Sequence, residues 1–424
     1  MRAIAIASIV LVSSCILSSP AHTADWYVDC AGGGDFCTIQ EAVDAAADGD
    51  VIHIAPCTYD ERVSIVGKAL SLVGSGAGVT AVRWSGPEPT VSVDNAVNQT
   101  TSFTDLSVVR VPSSGLAFFW QDHRVELTRC IIEGGARGGV GWGEVAAEDC
   151  DITRLKVVGG RSSFFSACTL GALTGWGADN HPHGFNAQQL HLTDCVAGSV
   201  TVYLASVEAL RGFVGRVELL GNGPSANVNA WASLEETQVG EVVAAGGETR
   251  LQNCDVTGSV DVRGDRHGAL RLYGNLVHGD VLLDVELLEE YLFNPIRLLH
   301  NTVLGDVSIE HRVFEDGGLA WPYQVRDNIV VGKTIFIGWD DACLLSVHHN
   351  DFVGGVTYPA ECDSVFANIS EGPLFCPGEY TLQECSPCGG AASDDGNIGA
   401  RAIACPCETN VERTSWGVVK TMFR

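Results

Sequence analysis

The 424-residue sequence predicts an all-β chain wound as a right-handed parallel β-helix, a solenoid of stacked coils. Three observations carry that expectation. A short motif recurs at steps of 18 to 27 residues, an alternating apolar strand follows each copy, and an amphipathic helical stretch stands where the first coil needs a cover.

The motif is Cys or Asn, any residue, an apolar residue in most copies, any residue, then Gly. It reads Asn275-Leu-Val-His-Gly279, Asn301-Thr-Val-Leu-Gly305 and Asn328-Ile-Val-Val-Gly332, with copies at Cys254 and Asn350 and looser ones from about residue 127. Cys130, Cys150 and Cys168 stand 20 and 18 residues apart; Cys254, Asn275, Asn301, Asn328 and Asn350 follow at 21, 26, 27 and 22. Periods of this size denote stacked supersecondary units. Period-two alternation buries one side of each strand, and Gly is expected to supply the sharp bend between strands. A coil of roughly 20 residues, stacked ~4.8 Å above its neighbour, satisfies all of this.

The Cys and Asn column then has a structural meaning. Stacked inward Asn side chains hydrogen-bond along a ladder and satisfy the backbone of the bend, and small Cys side chains fill the same space. Cys130, Cys150, Cys168, Cys195 and Cys254 are therefore read as packing, not as a thiol or metal channel.

At the N-terminus Thr38-Ile-Gln-Glu41 is a capping box, Ile39, Ala42, Val43 and Ala46 form an apolar stripe, and Gly49 ends the helix. Such a helix covers a first coil whose open edge would otherwise recruit other strands. Val51-Ile-His-Ile54, Val63-Ser-Ile65 and Leu70-Ser-Leu-Val73 are the first strands after it.

Over residues 26–75 the chain resembles the N-terminal opening of pectin-lyase-like, right-handed β-helix proteins. Gly34-Asp-Phe-Cys-Thr-Ile-Gln-Glu-Ala-Val43 leads through the cap helix to Ile52-His-Ile-Ala-Pro-Cys57-Thr-Tyr59-Asp-Glu61 and Gly67-Lys-Ala-Leu-Ser-Leu-Val-Gly74. The pattern departs at Cys57, where Gly is usual, and Cys37 or Cys30 is its implied partner. From there to about residue 360 the resemblance is at the level of the repeat. The end, with paired Cys, Asn397-Ile-Gly399-Ala and TSWGVVKTMFR, is similar to the tails of secreted β-helix proteins, either a sorting signal or a plain capping segment. The expected organisation is an export signal over 1–24, an N-terminal cap and first coils over 25–75 and the β-helix over 76–360. A Cys-rich C-terminal cap over 361–410 and a tail over 411–424 complete it.

The export signal rests on Arg2, the apolar run Ala3 to Val12, and the small-residue exits Ser19-Pro20-Ala21 or His22-Thr23-Ala24. Val12-Ser13-Ser14-Cys15 is a rival lipobox, but the apolar residues after Cys15 favour ordinary cleavage to a secreted or cell-surface protein. No later stretch is long enough to span a bilayer. A net charge of −27 argues against nucleic acid and anionic membranes as partners. The acids are scattered, so neither a Ca²⁺ site nor another cofactor is implied by any ligand motif. A monomer is expected.

Sixteen Cys in an exported chain suggest disulfides. Ten lie towards the two ends, where a solenoid needs stapling: Cys30, Cys37, Cys57, Cys343, Cys362, Cys376, Cys385, Cys388, Cys405 and Cys407. Cys385-x-x-Cys388 lacks a second pair or a nearby His and reads as structural disulfide, not zinc.

The resemblance covers lyases, hydrolases, methylesterases and surface proteins without known reactions, so fold does not decide function. Tyr59 and Glu61 stand at the places of a methylesterase G-x-Y-x-E element, and Gln121-Asp122 resembles another, but no second Asp motif or Arg partner follows. Of the hydrolase signatures only Asp340-Asp341 and Asp394-Asp395 are present, and no lyase-type Asp/Glu array is recognisable.

Segments that lengthen a coil are the better candidates. They are expected to emerge along related parts of the solenoid, because most follow the strand half of their coil. Exposed aromatic faces beside carboxylates and Arg are what a sugar-binding groove needs, which selects Trp176, Asp179, Trp231, Arg263, Trp321 and Trp339 as ligand-binding candidates. His181 and His183 can bind metal or act as acid and base, and with Asp340 and Asp341 they are the catalytic candidates. The expected function is non-catalytic display of loops to polysaccharide or a protein partner. The alternative is a polysaccharide lyase or glycoside hydrolase with a divergent site.

Overall fold

Strands that alternate apolar and polar residues, each too short to bury itself alone, pair here in parallel with the equivalent strand one coil away. The computed structural model describes residues 23–94, 99–121, 124–138, 144–159, 162–177, 188–220, 230–265, 269–287, 296–313, 323–337, 345–358 and 364–407. The described strands up to Phe366 form one parallel sheet wound into three faces. Face A runs from Asp25–Val28 through Val51–Ile54 and its successors to Val365–Phe366. Face B runs from Cys57–Asp60 to Asp351–Phe352, and face C from Val63–Val66 to Val356–Thr357. In mid-solenoid, the strands Gln189–Tyr203, Ser206–Leu220 and Trp231–Ala245 each cross all three faces. The right-handed parallel β-helix expected from the repeat is the fold observed.

The interior is filled by files of identical neighbours. Val200, Val217, Val242, Val260, Val281 and Val307 succeed one another in register, all at most 1 % exposed. β-Branched side chains suit this pleated, stacked surface, and each buried Val contributes roughly 1.5–3 kcal/mol.

The corners differ in kind. At the A-to-B corner the chain turns on one residue in the left-handed region, usually not Gly: Arg129, Asp149, Ala167, Asp194, Asn253, His300, Asp327 and His349 all have φ between 50° and 61°. The next residue is the Cys or Asn of the motif. The motif's Gly serves the other bend. That Gly sits at the B-to-C corner, where a Cβ on Gly240, Gly305 or Gly332 would run into the backbone carbonyl of the Gly one coil before. Close approach of stacked backbones, rather than a positive φ, excludes a side chain there.

The Asn ladder is as expected. Oδ1 of Asn301 accepts from the backbone N–H and Nδ2 of Asn275 (both 3.0 Å), and Nδ2 of Asn301 donates to the carbonyl of Leu272 (3.0 Å). The same set repeats through Asn328, Asn350 and Asn368. Asn368, part of a glycosylation sequon by sequence, is thus spent on the ladder.

Helix α1 (Ile39–Ala45) buries Ile39, Ala42 and Val43 on the first coil, with Ala46 just beyond. Thr38 caps it by accepting from the Glu41 N–H (3.3 Å). It stops at Ala45, four residues short of Gly49, because Ala46 is already extended.

Among the described residues three disulfides are present, Cys30–Cys57, Cys376–Cys405 and Cys385–Cys407. The expectation that all ten terminal Cys serve as staples fails for two of them. Cys37 is free and exposed, and Cys388 is free and buried, its thiol donating to Asp351 Oδ2 at 3.3 Å. Cys343 and Cys362 lie outside the described residues, as do the lipobox Cys15 and the tail over 411–424. Residues 370–407 lie as a strap along the flank of the solenoid. Their contacts climb from Asp351 through Asp327 and Thr302 to Asp255. Among the described residues no helix is long and apolar enough to cross a membrane.

Candidate functional site

All the undescribed internal segments join a face C strand to the next face A strand, so their attachment points share the C-to-A corner. Of the candidates read from sequence, Asp179, His181, His183, Trp321, Trp339, Asp340 and Asp341 belong to these segments and lie outside the described residues. Trp176, Trp231 and Arg263 are described, and all three flank this corner.

Register draws two of them into one outward file on face C. Trp176, Tyr203, Leu220, Ala245, Arg263, Asp284, Glu310 and Ile337 follow one another on successive coils. Seven inter-strand steps of ~4.8 Å make the file about 34 Å long. Its ends are apolar and exposed, with Trp176 and Leu220 at 37 % and Ile337 at 43 %. Trp231 opens the face A strand beyond the corner, half-buried, opposite Ser206 and Glu248.

The Trp176 ring is already engaged. Tyr203 packs against it with centroids 4.4 Å apart, and the Lys156 ammonium lies 4.6 Å from its centroid. The ring edge and the Lys156 donors are therefore what this position presents, and the ring face is covered by Tyr203 and Lys156. Arg137 lies beside Lys156 in register, exposed and without a bonded partner among the described residues.

The middle of the file is ionic. Arg263 is tied to Asp261 through two 2.8 Å hydrogen bonds, which hold its guanidinium above the usual Arg range. Asp284 and Glu310 are direct register neighbours next to it. Sequence reading found Arg263 but missed this carboxylate pair, because 26 residues separate its members and only the stacking register joins them.

The residues that resemble a methylesterase element are structural. Glu61 accepts from the N–H groups of Ile39 and Gln40 (2.8 and 2.9 Å), satisfying orphan donors at the start of α1. Burial raises its pKa although these bonds oppose the shift. Tyr59 is buried and donates to backbone carbonyls of Val28 and Ala55. Asp394 lies on the strap, 3.5 Å from His300, whose ring is 3.6 Å from the buried Asp327. That cluster docks the strap, since Asp327 also accepts from the N–H and hydroxyl of Ser393 (2.6 and 2.7 Å).

The column thiols are buried; the hydrogen bond with Cys150 lowers the pKa of Cys130, and the others disfavour ionisation. A neighbouring thiol hydrogen bond and burial push Cys150 up to about 12 and Cys168 to about 11, and burial pushes Cys254 to about 11. Among the described residues no group of three or more His, Cys, Asp or Glu is placed to hold a metal ion.

The chain matches no family model and no curated protein. Solved structures similar to it include pectin methylesterase from carrot, with TM-score 0.30 and 16% identity over 61% of this chain and 84% of that one. Another is pectin methylesterase PemA from Erwinia chrysanthemi, with TM-score 0.25 and 12% identity over 83% of this chain and 94% of that one. Likeness this distant carries neither residues nor an activity across.

Proposed function

We propose that the protein is a secreted or cell-surface β-helix that binds a polysaccharide lengthwise along the outward file of face C, without chemistry on it. The observation that supports this reading is the file itself. Aromatic, apolar and ionic side chains from Trp176 to Ile337 line up over about 34 Å at one-coil spacing. A linear polymer presents repeated hydroxyl and ring surfaces at a regular interval, which suits such a row. Trp231, at the described edge of the C-to-A corner, stands near the file. Three disulfides support an oxidising, extracellular setting.

The test is binding of the mature protein to a panel of acidic and neutral polysaccharides by retardation in polymer-containing gels. Trp176→Ala together with Tyr203→Ala is expected to weaken the best binder about tenfold, as stacked aromatics at a binding surface contribute roughly 1–2 kcal/mol. Unchanged retardation of the double variant overturns the assignment to this file.

A hydrolase or lyase is the second reading, favoured by the Asp284–Glu310 juxtaposition beside Arg263. Neighbouring strands ~4.8 Å apart match the roughly 5–5.5 Å between the carboxylates of retaining glycosidases. Shortening of any polymer, with or without Ca²⁺, that is lost in Asp284→Asn and in Glu310→Gln would replace the binding account with this one.

A further inference from the structure

A depression of about 380 Å³ lies on face A, away from the file just described. Its cause is legible in the register. Glu126, Ala146, Phe164 and His191 follow one another outward on successive coils. Phe164 is 46 % exposed. His191 stacks on one side of its ring, with centroids 4.8 Å apart and planes 11° from parallel, and Glu208 holds that imidazole at 2.9 Å. On the other side the neighbour is Ala146, whose methyl is too short to cover the ring. The gap between Glu126 and Phe164 is the floor of the depression.

The rim is acidic and rich in hydroxyls. Arg124 is shared between Glu126 and Glu144, at 3.0 Å from each, and so balances one of two carboxylates. Glu148 is exposed on the rim, and its carboxylate has no bonded partner among the described residues. Thr128, Ser166 and Thr193 complete the wall with groups that both donate and accept.

We propose that this depression binds a protonated amino-sugar residue of a glycan. The pyranose C–H face lies on the open side of Phe164, the ammonium reaches Glu148, and the hydroxyls bond to the rim. An uncovered aromatic face and an unbalanced carboxylate both attract a cation, and a charge-assisted hydrogen bond is about twice as strong as a neutral one. A uronate meets carboxylates and is repelled. An N-acetylated sugar keeps the ring but loses the charge. A lysine side chain brings the charge but has no ring for the floor and no hydroxyls for the rim. The volume falls in the roughly 300–1,000 Å³ range of small-ligand sites.

The experiment titrates the full-length protein calorimetrically with short oligomers of glucosamine, N-acetylglucosamine, glucose and galacturonate. The glucosamine oligomer is expected to bind about tenfold or more tighter than the other three, and to weaken severalfold when salt is raised roughly tenfold. Phe164→Ala and Ala146→Leu, which respectively remove and cover the platform, should each weaken it about tenfold, and Glu148→Gln about fivefold. Because Ala146 and Glu148 face outward, those two variants keep the test open if Phe164→Ala folds poorly. Trp176→Ala should leave this binding unchanged, which separates it from the file on face C. Equal binding of the N-acetylated oligomer, or full binding by Ala146→Leu, overturns the proposal. A lysine-rich peptide that binds as tightly as the glucosamine oligomer overturns it in favour of a protein partner.

Discussion

The same corner of the solenoid is built in two ways along its length. From Cys130 to Cys254 the position after the left-handed residue is mostly Cys, and from Asn275 to Asn368 it is Asn without a break. Both donate to the face A carbonyl one coil before: Cys130 Sγ to Phe103 at 3.3 Å, Asn301 Nδ2 to Leu272 at 3.0 Å. Both also accept the N–H of the preceding coil's column residue, Cys150 Sγ from Cys130 at 3.4 Å and Asn301 Oδ1 from Asn275 at 3.0 Å, but only Asn adds a side-chain amide bond to the next Asn. A thiol is a weak donor and a weak acceptor, so the Cys region relies on packing where the Asn region relies on a saturated hydrogen-bond ladder. The flanks differ as well. The strap covers the side of the Asn region, docked on Asp327 and Asp351, and the depression beside Phe164 lies over the Cys region. Polar satisfaction, not apolar volume, is what one half of this molecule depends on more than the other.

The largest effect is expected in the ladder. Asn301→Leu strands the N–H of Asn275 and the carbonyl of Leu272 inside the core, at ~1–3 kcal/mol each, for a total of roughly 3–5 kcal/mol. Urea unfolding should show the loss, and protection from hydrogen exchange should fall first around residues 275–330. A cost under about 1 kcal/mol would dissolve the contrast between the halves.

Next comes the strap. Asp351 is fully buried, and burial raises its pKa from 3.8 to about 6, against the Cys388 hydrogen bond that lowers it. The folded state therefore keeps a proton that the unfolded chain releases. That contribution is complete below pH 3.8 and is lost as pH rises through about 6. It amounts to roughly 3 kcal/mol at most. Asp351→Asn should flatten the stability–pH curve between those values and raise stability at pH 7. An unchanged curve would show that Asp351 is not the group responsible.

Gly305→Ala should cost about 1–3 kcal/mol, because its Cβ meets the backbone of Gly279 rather than open space. The effect would be read as a lower urea midpoint with the slope unchanged. Smallest of all, Cys168→Ala should cost about 1 kcal/mol, the loss of a small packed group with weak hydrogen bonds. In the folded protein a thiol reagent should label Cys37 and spare the column. Rapid labelling of Cys168 would break the packing account.

Most of the winding was legible because it is written locally. Alternation, the motif period and the stripe Ile39, Ala42, Val43 and Ala46 are each fixed by neighbours in sequence, and each reappears in the structure at the residues named. The Gly stands at a bend between strands as expected, but its reason was not legible: Gly in a repeat signals either a positive φ or a close approach, and sequence does not separate the two. Only the corner geometry shows that Arg129, Asp194 or Asp327 takes the left-handed turn while Gly305 makes room for a neighbouring coil. Glu61 shows a similar limit. Its place in a motif suggested chemistry, yet its carboxylate caps the start of a helix, at N–H groups 22 and 21 residues earlier.

By itself, the sequence determined the fold class, the Asn ladder, the N-terminal cover and the export-type cysteine content, since each follows from residue type and spacing. Tertiary structure decided which distant residues become neighbours. Coil lengths vary from 17 residues (Gln189 to Ser206) to 31 (Ser71 to Ser102), so no fixed spacing predicts that Trp176, Arg263, Asp284 and Glu310 share one file, or that Ala146 leaves Phe164 uncovered. Stacking register is a sum over every intervening corner, and that sum exists only once the solenoid is wound.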